Sequence, residues 1–451
     1  MKTLVVAVAC SAAVIVTAAY GWWPNVVLIG ASLLVVALVK LGGPKSVLLL
    51  VAGAAVCQVP GLLHAPITST DAYRYVWDGR VQLSGSSPYS HVPLDDALAK
   101  LRDPVLFPGL TPADRTGVVG PPRVPMDAAG VAALSQDDPR TRINRPLVPT
   151  IYPPVAQAYF TVVALVTPWS AGTFGLQLAA ALIAVGLTWL LAVELKRRGR
   201  DPRWAALWGW SPIVALEAGS SAHVDVLAAF LVIAALTRRR AWLTGVLLGA
   251  AGAVKLLPLL LLPALTNRRT PLVAVGTFAA SYLPHVLVAG TLVAGFLPGY
   301  LTQEGFSDGS SRSAILALVL PPEARQVTAG VLAAGLALLA IRRHGREPVA
   351  VTCCWLYGAA LLVATPTYPW YGLPLIALAV LAGRAEWLAV PLAAYAAYAN
   401  FGHELRQGLI HLSALLVVLL LITLRHRPDA VSRLISGRSA RTLIRAPQNH
   451  T

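Results

Sequence analysis

Charge is scarce in this chain: 12% of its 451 residues are Asp, Glu, Lys or Arg, about half of the roughly 25% usual in a soluble domain. With 56% hydrophobic residues, that shortage excludes an ordinary soluble fold, whose interior is too small to hide so much apolar surface. Cysteine is scarce too. The four, Cys10, Cys57, Cys353 and Cys354, fall inside apolar runs, where a thiol behaves as a small buried hydrophobe, and they supply neither a disulfide framework nor a metal site. No small-residue cleavage site separates the first apolar stretch from the one beginning at Val26, so Met1 is expected to be retained and the stretch to be a span. Internal repeats are lacking, which weakens an inverted-repeat carrier.

What is present is a succession of apolar segments from Val5 to Thr423, each close to the roughly 20 residues that cross a bilayer. The net charge of +16 is explained by its placement. Between 64 and 153 nine acidic and nine basic residues balance, so the whole excess lies elsewhere, in short linkers such as Lys196 to Arg203, Arg238 to Arg240, Arg268 with Arg269, and Arg342 to Arg346. This is the positive-inside pattern of an inner-membrane protein rather than a nucleic-acid surface. Placing the linkers in the cytoplasm gives an all-α polytopic bundle of about 12 to 14 spans, both termini inside. The expected division is 1–63 for N-terminal spans, 64–153 for a large outer loop, 154–424 for the membrane core and 425–451 for a basic cytoplasmic tail. A broken or re-entrant pair is expected around Lys255 and Pro258. Aromatic clusters at both ends of the loop, Tyr73, Tyr75, Trp77 and Tyr89, then Tyr152, Tyr159, Phe160 and Trp169, suit helices lying at the interface.

The densest polar cluster opens that loop: Thr68-Ser69-Thr70-Asp71-Ala72-Tyr73-Arg74-Tyr75-Val76-Trp77-Asp78-Gly79-Arg80. Ser69 or Thr70 is suited to cap a helix starting near Asp71, on which Asp71, Arg74, Tyr75 and Asp78 share a face and Arg74 reaches Asp78 one turn on. Two readings stand. One is a capped interfacial helix with a salt bridge; the other makes Asp71 a general base that takes a proton from an acceptor sugar hydroxyl. Ionisable groups at membrane depth default to function, which brings in Glu217, His223 and Asp225. His223 and Asp225 suit a sugar hydroxyl or a phosphate-binding cation, or form a pair bonded to each other. No third ligand at metal spacing accompanies them, so no metal and no cofactor is expected. Lys255, free of neighbouring arginines, is a candidate phosphate ligand or a snorkelling anchor. Arg312 and Arg406 are further candidate phosphate contacts. Tyr368, Trp370 and Tyr371, held between Pro366 and Pro369, suit stacking on a sugar as well as an aromatic belt. His403 and Glu404 are weaker candidates for binding an acceptor.

The stretch Asp71 to Arg80 followed by Pro88-Tyr89, then Ile151-Tyr152-Pro153-Pro154, His223-Val224-Asp225, Lys255 to Pro258 and Tyr368-Pro369-Trp370-Tyr371 together resemble the GT-C superfamily of membrane glycosyltransferases, nearest its bacterial mannosyltransferase-like branch. The resemblance implies a polyprenyl-phosphate sugar as donor, a glycan or glycolipid as acceptor, and an essential aspartate in the first outer loop, here Asp71. Beside that aspartate, Arg74, Tyr75, Asp78, Arg80, Tyr152, His223, Asp225, Tyr368, Trp370, Tyr371 and His403 are expected to contact substrate. No second acid adjoins Asp71, unlike the paired-acid members, and the extra spans before the loop have no counterpart in many relatives. From another class, a secondary transporter or a lipid-linked glycan flippase remains the rival.

Overall fold

The computed structural model describes residues 2–20, 45–117, 137–306 and 312–426, together with 28, 30–32, 34–37 and 39. The apolar stretch beginning at Val26 lies partly outside the described residues, and Pro121, Pro122, Pro125, Asp308 and the basic tail beyond 426 lie wholly outside them. Among the described residues the chain is helical, without strands: an all-α polytopic membrane protein. The principal helices are α1 (Lys2–Tyr20), α2 (Val47–Leu62), α3 (Asp71–Leu83), α4 (Pro154–Val166), α5 (Phe174–Arg197), α6 (Asp225–Leu236), α7 (Ala241–Gly252), α8 (Arg269–Ala289), α9 (Pro322–Arg342), α10 (Val349–Val363), α11 (Leu373–Ala382), α12 (Ala389–Tyr398) and α13 (Glu404–His426).

Four helical stretches among the described residues are long and apolar enough to cross a membrane alone: Phe174–Arg197, Arg269–Gln303, Pro322–Arg342 and Glu404–His426. A fifth arises if the pair Pro212–Ser220 and Asp225–Leu236, bent by 117°, counts as one span. The apolar run 203–219 is a chain of short pieces ending in a π-helical turn at Ala215–Ser220, and the run 256–266 is a 3-10 segment, Leu257–Ala264. Prolines account for both. Pro212, Pro258 and Pro263 each lack the amide that would continue a ladder. The break expected at Lys255 is present, between the end of α7 and that 3-10 segment.

The lipid-facing surface is legible from its side chains. Leu272, Leu287 and Val288 on α8, Val327 and Val331 on α9, and Leu416 and Leu420 on α13 are exposed, which an aqueous surface does not tolerate in such density and hydrocarbon does. Inside the bundle, close backbone approach replaces the hydrophobic drive that lipid removes. On α7, Gly245 and Gly249 abut α8: a Cβ on Gly249 would stand 2.3 Å from the Ala274 carbonyl oxygen.

Gly79 plays the same part where α3 packs against α4. A Cβ there would meet the Phe160 carbonyl oxygen at 2.5 Å, so Gly79→Ala must push the two backbones apart. The expected cost is about 1–3 kcal/mol, read as a lower thermal midpoint in detergent. Because α3 carries Asp71, activity at permissive temperature should fall with it.

Candidate active site

Asp71 begins α3, and its amide donates to Ser69 Oγ at 3.2 Å; Thr70, the residue just before the helix, makes no side-chain cap bond. The capping expected from either hydroxyl therefore falls to Ser69. The Asp71 carboxylate is nearly enclosed. Oδ1 accepts from Asn144 Nδ2, and Oδ2 accepts from the hydroxyls of Tyr152 at 3.2 Å and Tyr75 at 3.4 Å. A carboxylate offers about four acceptor sites, so these three donors leave roughly one, and Asp71 lines a cavity of about 280 Å³. The Tyr75 ring is itself fixed, stacked on Phe160 at 4.4 Å between centroids and edge-on to Tyr152 at 4.9 Å.

The same cavity is lined by Lys255, Arg145, Tyr300, Tyr371 and Tyr398, with Asp137 and Asn144 on the loop side. Lys255 is not the lone cation the sequence suggests. Its Nζ donates to Asp225 Oδ2 at 2.8 Å and sits 4.1 Å above the centre of the Tyr371 ring. Asp225, 1% exposed, thus serves to hold the lysine rather than to bond His223. Arg145 donates to Gln303 Oε1 at 2.9 Å and to Glu304 Oε1 at 2.7 Å. Burial works against its charge, and the Glu304 carboxylate together with Tyr300, Tyr368 and Asp71 more than offsets this, leaving the guanidinium harder to deprotonate than usual.

His223 is wholly buried. Nδ1 lies 2.6 Å from Glu217 Oε2, Nε2 lies 2.9 Å from Ser69 Oγ and 3.9 Å from Asp71 Oδ2. Its ring stacks on Trp370 at 4.0 Å, and Trp370 stacks on Tyr368 at 4.8 Å. The turn Tyr368-Pro369-Trp370-Tyr371 therefore forms a wall of the cavity. Among the described residues, non-glycine positive φ angles occur at Arg145, Ala222 and Ser313, which lie in or beside Arg145, His223 and Arg312. Strained backbone of this kind collects at functional sites.

Other expected contacts are placed elsewhere. Arg74 bonds Asp78 at 2.9 Å and gives its other donors to the carbonyls of Arg145 and Val148. Asp78 accepts from Thr150 at 2.6 Å and Gln157 at 3.0 Å. Both side chains are consumed in pinning the end of the loop to α3 and α4, so their expected contact with substrate is replaced by the salt-bridge reading. Arg80 pairs with Asp103 and lies over the Trp169 ring at 4.6 Å, remote from the cavity lining. Arg312 lines a neighbouring cavity of about 290 Å³, together with Glu304, Glu404, Gln407 and Phe401; its donors go to Glu304 and to the carbonyl of Pro366. Arg406 and His403 are exposed and line neither cavity. The two cavities share Tyr368 and Tyr398.

Sequence reasoning missed Asn144, Arg145 and Tyr300 as site residues and gave Glu304 no role. Glu304 is the hub between the cavities: it takes bonds from Arg145, from Arg312 and from the Tyr368 hydroxyl at 3.0 Å. A signal existed in the charged doublets flanking an outer turn, Glu304 and Arg312, but their partner on the long loop was not marked by spacing.

No curated protein and no solved structure matches the chain. Residues 150–366 match the model for Glycosyltransferase family 87. That segment contains Tyr152, His223, Asp225, Lys255, Glu304 and Arg312, whereas Asp71 precedes it and Tyr368 to Tyr371 follow it. That segment, 217 of the chain's 451 residues and set in an all-α membrane bundle, makes the chain similar over this stretch to a glycosyltransferase family.

Proposed function

We propose that the Asp71 cavity transfers a sugar, with mannose the first candidate, from a polyprenyl phosphate to a glycan or glycolipid acceptor on the outer side of the plasma membrane, with inversion at the anomeric carbon. The observation that carries this reading is the meeting, in one space of about 280 Å³, of a carboxylate with an open acceptor position and two cations, under a roof of tyrosines. In an inverting displacement the acceptor oxygen attacks the anomeric carbon opposite the departing phosphate. The new C–O bond forms as the bond to phosphate oxygen breaks, and the acceptor proton goes to Asp71 Oδ2. The electron pair leaves with the polyprenyl phosphate, whose charge Lys255 and Arg145 stabilise from positions fixed beforehand by Asp225 and Glu304. Tyr368, Trp370 and Tyr371 offer faces and hydroxyls suited to a sugar ring. Arg312, Gln407 and Glu404 give the adjoining cavity the polar lining expected for a longer acceptor glycan.

The test supplies purified protein in liposomes with a panel of polyprenyl-phosphate hexoses, mannose included, and octyl hexosides as acceptors. Product is expected from a lipid-linked donor and not from nucleotide sugars. Counterflow of labelled sugar across the liposome, without a new glycosidic bond, would support the transporter instead. Labelling of a cysteine placed at position 71 from the cytosolic side would overturn the orientation.

A further inference from the structure

Glu217 is a carboxylate beside the cavity that the transfer itself leaves idle, and its cost is high. Its side chain is wholly buried, where an ion needs dedicated partners. It has them: Tyr395 and Thr68 donate to it, the latter at 3.0 Å, and His223 Nδ1 lies 2.6 Å from Oε2. The backbone around the pair is unusual twice over. Glu217 sits in a π-helical turn and His223 follows Ala222 at φ 56°. Such turns and such strain are retained mainly where a side chain must be aimed. Here they aim one imidazole between two carboxylates, with Trp370 holding its face at 4.0 Å.

Nδ1 thus faces a carboxylate, the neighbour that favours a proton on that nitrogen, and Nε2 is left to accept from the Ser69 hydroxyl. Nε2 points to Ser69 Oγ and, 3.9 Å away, to Asp71 Oδ2. We infer that Glu217 and His223 form a proton-holding pair that resets Asp71 after each transfer. This rests on the reading of Asp71 as the base. In the resting state Asp71 is a carboxylate, His223 is neutral with its proton on Nδ1, and Glu217 is a carboxylate. The acceptor proton moves to Asp71 Oδ2; then the Asp71 O–H bond breaks as Ser69 Oγ takes that proton and its own O–H bond breaks to form Nε2–H, leaving an imidazolium beside Glu217. Asp71 is a carboxylate again while product leaves, and the proton departs from Nε2 by way of the Ser69 hydroxyl, which lines the cavity. His223 is a positioning and proton-holding residue in this scheme, not a contact of the sugar.

A merely structural pair and a resetting pair differ in timing. In Glu217→Gln the amide keeps the shape, with its oxygen toward Thr68 and His223 and its N–H donating to the Tyr395 hydroxyl oxygen, and loses the charge. With polyprenyl-phosphate mannose and octyl mannoside, a rapid-mixing experiment should give a first turnover within about threefold of wild type, followed by a steady state slowed at least tenfold. Equal slowing of both phases, or no slowing of either, would overturn the pair. A second measurement uses wild-type protein and does not depend on the variant folding. Ala222-His223 is the sole Ala-His step in the sequence, so carbonyl-¹³C alanine with ¹³C,¹⁵N-histidine selects the His223 amide and relays from it to this imidazole in a solid-state NMR spectrum. The neutral form protonated at Nδ1 is expected at rest; a form protonated at Nε2 would refute the inference. If instead Asp71→Asn turns over normally, the base assignment fails and the pair loses its purpose with it.

Discussion

Asp71→Asn is expected to abolish all but a trace of transfer while leaving the protein folded. The amide is close to the carboxylate in shape and still accepts from one of the tyrosine hydroxyls, so the helix start and the cavity wall should survive. What it cannot do is take the acceptor proton. General-base catalysis contributes about 10²–10⁴-fold, or about 3–5 kcal/mol of barrier, and kcat should drop by that factor with little change in the KM for the lipid donor. Such a split is the mark of an interaction used only on the way to the transition state. Turnover at the wild-type rate would remove the base from Asp71 and leave its three donors as a purely architectural arrangement.

The second large effect belongs to Lys255. Lys255→Met strands Asp225 as an unpaired carboxylate in the bundle interior, a change worth about 3–5 kcal/mol and readable as a collapse of thermal stability. Lys255→Met combined with Asp225→Asn removes both charges and should restore most of that stability. Activity should not return with it, because the departing phosphate has lost a fixed cation whose removal costs about 10²–10³-fold. Full turnover in the stable double variant would show that the lysine serves only to neutralise Asp225, and Arg145 would then carry the phosphate alone.

Much of this site is written locally and was therefore readable. A hydroxyl two residues before Asp71, a lysine set among Ala253, Val254 and Leu256, and an aromatic turn bracketed by prolines are all patterns in neighbouring residues. The same local grammar misled at Arg74, Asp78 and Arg80, since a charged side chain one turn from Asp71 looks alike whether it faces a substrate or a backbone carbonyl. Asn144, Arg145 and Glu304 were silent for a different reason. Their meaning lies in contacts across 73 residues to Asp71 or 159 residues between Arg145 and Glu304, and such partners are chosen by how the helices pack. The helix breaks were anticipated at Pro258 but not at the π turn, where Glu217 bonds to Tyr395, 178 residues away.

Glu304 ties the long loop to the turn before α11, and the Tyr368 it anchors is also the outer ring of the stack that ends on His223. The two chambers thus lean on a common partition. An occupant that displaced Tyr368 from the far side would press on the stack that ends at the imidazole beside Asp71.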